Sequence, residues 1–207
     1  MNDKINIKNI YNLCMNEYDT SFNSIIGVGA ILFINVVPLF FNKIELLNFN
    51  ADALLYINSC VLFMGLLFSE LYIHYYKRGS LVACLPVTKL EYILSLYTNG
   101  IICTLQLCLG LSISVILGMN IFSDVYALFT IGIVITSISI LLSRINLWLS
   151  MIGTTIFFVG VIYNTFSIKF INFKIIIRDI KYLPVIVIFM MISLLISYKI
   201  HSKKDMI

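Results

Sequence analysis

Charge is what this chain has least of. Only 12% of its 207 residues are Asp, Glu, Lys or Arg, 60% are hydrophobic, and the mean hydropathy is +1.00. Soluble domains carry about 25% charged residues, so a water-facing globule is excluded. Histidine is almost missing: His74 and His201 are the two present, and neither sits in H-E-x-x-H or H-x-x-E-H. No G-x-S-x-G occurs, so the usual exposed serine nucleophile has no place. The five cysteines (Cys14, Cys60, Cys84, Cys103, Cys108) form no C-x-x-C, which supports neither a disulfide frame nor a metal site. The ten glycines build no G-x-x-x-x-G-K-[ST], so no nucleotide is expected to bind here. We therefore expect no catalytic residue, cofactor or metal in this chain.

What is present is apolar sequence in long runs. At about 20 residues per span, the chain has room for six spans and no separate soluble domain. They are expected near 24–41, 53–69, 92–119, 125–143, 145–168 and 182–198. The first run follows about twenty mixed residues and has no A-x-A-like site after it, so it is expected to stay in the mature protein. Ahead of it, Ile7, Ile10, Tyr11, Cys14 and Tyr18 repeat at helical spacing, which predicts an amphipathic interfacial helix within 1–21. Trp148 opens the fifth span as an interface anchor. The segment 169–182 alternates basic residues with Ile and Phe, as a shallow interfacial element would.

None of these spans carries Asp, Glu, Lys or Arg near its middle, where such a residue would be costly and functional. Their polar groups are weaker. Asn58, Asn99 and Gln106 can hydrogen-bond between helices or line a pathway, and Gly110 with Ser114 makes a small-x-x-x-small spacing for close helix approach. With six spans both termini share one side. Placing them in the cytoplasm puts nine of the fourteen basic residues inside, which favours that orientation. The excess of 14 basic over 10 acidic residues is spread over several loops, so it reports topology and not nucleic-acid binding.

One stretch breaks the apolar pattern. Residues 70–97 gather Glu70, His74, Lys77, Arg78, Lys89 and Glu91 around a short apolar segment, 81–87, interrupted by Pro86. Leu81, Val82, Leu85 and Val87 offer apolar anchors, and Lys77, Arg78, Lys89 and Glu91 a charged, solvated rim. A connector of this kind between two spans suits docking on another protein.

The run L-P-V-T-K-L-E, Leu85 to Glu91, resembles the signature after the second span of ABC transporter type-2 permeases. Leu85, Pro86, Val87, Thr88, Lys89 and Glu91 match it; Leu96 before Tyr97 departs from the lysine often found there. The six-span layout with an amphipathic leader is similar too. The resemblance implies an all-α integral membrane fold, one permease domain over 1–207, with a six-span bundle in 22–198 and a basic cytoplasmic tail in 199–207. It also implies a cytoplasmic coupling helix between spans 2 and 3 that sits on a separate ATPase subunit, where ATP and magnesium are held. A second permease chain, identical or related, would complete the pathway in a bacterial cytoplasmic membrane. Small permeases of this layout resemble exporters of amphipathic peptides, such as phenol-soluble modulins, so an amphipathic or hydrophobic cargo, a peptide foremost, is the expectation. Two other classes stay open: a non-transporting immunity or sensor protein that binds a partner through the same loop, and an intramembrane enzyme using Glu70 or His74.

Overall fold

A computed structural model describes residues 5–18, 29, 31, 33–37, 40, 54–65, 88–116, 122–167 and 179–203. Nearly all of them are helical, and no strand occurs among them. The helices are α1 (Ile7–Tyr18), α2 (Leu54–Gly65), α3 (Lys89–Ile116), α4 (Phe122–Ile145), α5 (Leu147–Ser167) and α6 (Leu183–Lys203), and residues 31 and 33–37 add a further helical piece before α2.

Among the described residues three stretches are long and apolar enough to cross a membrane: Lys89–Ser112, Ser123–Ile145 and Ile180–Ser202. They coincide with the expected spans 3, 4 and 6. Shorter apolar helices, Leu54–Gly65 and Leu147–Gly160, fall within expected spans 2 and 5. The fold is thus a helical membrane-type bundle, and the count of six is carried no further by these residues. The α3 helix, 28 residues long, measures about 42 Å at 1.5 Å per residue. That exceeds a hydrocarbon core of about 30 Å, so its first turns can stand outside.

Local chemistry sets the helix starts. Asn6 caps α1, its Oδ1 accepting the Lys8 N–H at 3.0 Å and its carbonyl the Ile10 N–H at 3.3 Å. Asn146 is a one-residue break between α4 and α5. Its N–H closes the last turn of α4 onto the Leu142 carbonyl at 2.9 Å, while its Oδ1 caps α5 at the Trp148 N–H, also 2.9 Å. Asp179 caps a 3-10 turn, Ile180–Tyr182, that leads into α6. Pro184 then occupies the first turn of α6, where its missing N–H costs nothing.

The α4 helix is central, packing along α3, α5 and α6, while α1 lies against α3. Two reciprocal pairs hold α3 to α4. Gly100 of α3 meets Thr136 of α4, and Gly132 of α4 meets Thr104 of α3, so closely that a methyl at either glycine would strike the facing threonine. Both helices carry the same G-x-x-x-T spacing, and antiparallel packing superposes the two in opposite sense. Thr104 turns its hydroxyl inward to its own helix, donating to the Gly100 carbonyl at 2.8 Å. Around this contact Leu107, Leu111, Leu128, Ile131 and Ile135 form the core with Leu54, Leu55 and Leu62 of α2. Phe63 of α2 stacks on Phe158 of α5, centroids 4.5 Å apart.

By contrast α6 buries one face only. Ile186, Ser193 and Ser197 turn inward, while Val185, Ile188, Ile192 and Leu195 face outward, an apolar surface suited to lipid.

Replacing Gly100 by Leu should force α3 from α4 and cost about 1–3 kcal/mol, as overpacking does, read as a lower thermal midpoint in detergent. Gly160 has nothing within 4 Å of an added Cβ, so Gly160→Ala should leave the midpoint in place. Equal effects at the two glycines would remove close approach as the explanation.

Candidate functional site

Among the described residues, one end of the bundle gathers Lys89, Glu91, Arg144 and His201. The first turns of α1 and α3 meet there with the last turns of α4 and α6, which brings together the N-terminal segment, the end of the central loop, Arg144 and the C-terminal segment. These are the four segments that the count of basic residues groups on one side.

The organising group is Glu91, 1% exposed. Thr88 precedes α3 and forms a reciprocal capping box with it: the Glu91 N–H donates to Thr88 Oγ1 at 3.2 Å, and the Thr88 N–H donates to Glu91 Oε2 at 2.9 Å. The carboxylate then reaches a second helix. Its Oε1 accepts the Asn6 N–H at 2.6 Å, and its Oε2 accepts the Asn9 side-chain amide at 3.3 Å. A bare buried carboxylate would cost several kcal/mol. Here each of these contacts comes from an N–H donor, and two positive helix N-termini converge on it. The ionised form is the one this shell fits.

This corrects the expectation of a solvated rim charge at Glu91. The side chain is inside because T-x-x-E at a helix start folds it back onto the backbone, and α1 covers it. Lys89 is half-buried, and its Nζ donates to the Ser202 carbonyl at 3.3 Å, satisfying an open carbonyl at the end of α6. Tyr92 is touched from two sides. The Arg144 guanidinium carbon lies 5.5 Å from its ring centroid, and the His201 ring is 5.6 Å away at a 35° tilt. Arg144 ends α4, where a cation opposes the helix dipole.

Deeper in, hydroxyls join four helices. Tyr97 Oη of α3 lies 2.7 Å from Ser193 Oγ of α6, which donates to the Ser137 carbonyl of α4 at 2.9 Å. Ser150 Oγ of α5 donates to the Ser139 carbonyl of α4 at 3.0 Å. In an apolar surround such bonds close groups that would otherwise be unsatisfied.

The remaining expected residues separate into three groups. Lys77, Arg78, Leu81, Val82, Leu85, Pro86 and Val87, with Glu70 and His74, lie outside the described residues. Asn58 is fully buried and forms a closed amide pair with Asn35: Nδ2 of each donates to Oδ1 of the other, at 2.9 and 3.1 Å. Each also donates to the carbonyl one turn back, Ile31 and Leu54, at 2.8 Å. Gly110 lies against Ile31 and Asn35, which lets α3 approach this pair. Asn99 is buried and Gln106 half-buried on α3, and Ser114 falls in the last turns of that helix.

On α1, Leu13 is buried while Ile7 and Tyr11 face outward. Of the apolar stripe read from the sequence, those two positions lie off the face that packs on α3.

Sequence reasoning passed over Asn35, Tyr97, the two G-x-x-x-T repeats and the capping role of Glu91. The capping box had a signal, Thr88 three residues before Glu91 at the start of an apolar run. Asn35 had one too, as the only amide in its run. The Tyr97–Ser193 bond had none, since 96 residues separate its partners.

The fold and this site define a helical protein of membrane type in which Lys89, Glu91, Arg144 and His201 come together at one end. No protein-family model, curated protein or solved structure matches the chain.

Asn58→Leu should strand Asn35 in the core and cost about 1–3 kcal/mol. The double variant Asn35→Leu with Asn58→Leu should recover most of it, since no polar group is then left open. Additive losses in denaturant titrations would show that the two amides act independently.

Proposed function

We propose that this chain is the membrane-spanning subunit of an ATP-driven exporter of the ABC type-2 kind, driven by a separate ATPase that docks on residues 77–91. The observation that carries this reading is the run Leu85–Glu91, whose last three residues open the membrane-length helix α3. Its described end, Thr88 to Glu91, is not a loose connector. It is bonded to α1 through Glu91 and to α6 through Lys89, so force applied to the loop has two paths into the bundle. The charged end faces the cytoplasm, in keeping with its basic residues, and two such chains form the pathway. The cargo is amphipathic or hydrophobic, a peptide foremost, because the described spans are apolar and carry no mid-span charge for a polar solute.

The test is affinity purification of the tagged chain from its own membranes, beside a variant carrying Leu85→Asp and Val87→Asp. A P-loop ATPase should accompany the parent and be missing from the variant, with helical content by circular dichroism the same in both. An ATPase missing from both samples overturns the proposal and favours a stand-alone immunity or sensor protein that uses the same loop.

A further inference from the structure

One carboxylate serves two helices at the charged end. The contacts of Glu91 divide by element: the Thr88 N–H belongs to the start of α3, whereas the Asn6 N–H and the Asn9 amide belong to the start of α1. Seventy residues, 19–88, lie between these helices in the chain, so α1 is held at this place by tertiary contacts. Among the described side chains of α1, Leu13 is buried and Ile10 half-buried, while Ile7 and Tyr11 are exposed. A helix of 12 residues is marginal by itself, so α1 depends on its tertiary attachments, the polar one at Glu91 among them. That attachment is charge-assisted and its shortest bond is 2.6 Å.

We infer that Glu91 is a latch: its carboxylate fastens α1 to the first turn of α3, so that a displacement of the loop ending at Thr88 carries α1 with it. The latch stands on the geometry alone; its use in transmitting ATPase movement rests on the function proposed above. The chemistry of the latch is directional. Asn6, Asn9 and Thr88 all present N–H groups, so Glu91→Gln, equal in size, turns an amide N–H toward at least one of them. Changing Asn9→Asp in the same chain gives that new donor an acceptor on α1.

The latch is tested by hydrogen–deuterium exchange on the full chain in lipid nanodiscs. Glu91→Gln should raise exchange over residues 6–13 at least about tenfold, the factor that one hydrogen bond to a charged group is worth, with residues 131–140 of α4 unchanged. Adding Asn9→Asp should restore most of the protection. Thr88→Ala loosens the start of α3 but keeps the bonds to α1, so it should leave residues 6–13 protected. Unchanged exchange in α1, an equal rise in every helix, or no rescue by Asn9→Asp each overturns the latch.

Transmission is tested on the complex with its co-purified ATPase, using spin labels at the exposed positions Asn12 of α1, Leu109 of α3 and Thr155 of α5. On trapping with ATP and vanadate, the 12–109 distance should hold while the 12–155 distance shifts; in Glu91→Gln the 12–109 distance should broaden. An α1 that stays with α5 in the parent protein overturns the transmission. Absence of any ATPase withdraws the transmission together with the proposed function, and the exchange result then decides the latch by itself.

Discussion

The close approach of α3 and α4 is the constraint from which the rest of the bundle takes its positions. Two helices in an apolar medium gain little from hiding apolar surface, since lipid is as apolar as leucine, and they associate through tight packing and hydrogen bonds. Gly100 against Thr136 and Gly132 against Thr104 supply that packing at two points one turn apart. Two points fix both the register and the antiparallel sense. With α4 placed, α5 follows through the one-residue break at Asn146, and α6 docks where Ser193 can reach the Ser137 carbonyl.

The bundle handles its polar groups by closing many of them in pairs and short chains. Asn35 and Asn58 exchange two bonds and give their remaining N–H groups to their own helices. Ser59, Thr98, Thr104, Ser112 and Ser137 each donate to the carbonyl four residues back. Such groups lend specificity at small cost, because the helix itself is the acceptor.

Among the described residues Lys89, Glu91, Arg144 and His201 gather at one end, and there charge is organised by geometry as well as by sign. Glu91 satisfies two helix starts, Lys89 an open carbonyl at a helix end, and Arg144 the negative end of α4 and a tyrosine face. Each therefore has a structural duty besides any part in docking. The loop that bears the family resemblance thus runs into a turn already fastened to the bundle, an arrangement that suits a force-bearing contact.

Much of this was legible in the residues alone. Scarce charge and long apolar runs determined the helical, membrane-type character of the described residues, the approximate placing of α3, α4 and α6, and a helix ahead of them, because hydropathy and helical periodicity are local properties. The cap at Thr88 and Glu91 was also written locally, at three-residue spacing. Only the tertiary structure decided that Glu91 is buried, that Asn58 is matched by Asn35, that two G-x-x-x-T repeats interlock, and that Tyr97 meets Ser193. Each of these depends on which helix faces which, and at what register. Hydropathy says that a face is apolar; it does not say what will cover it.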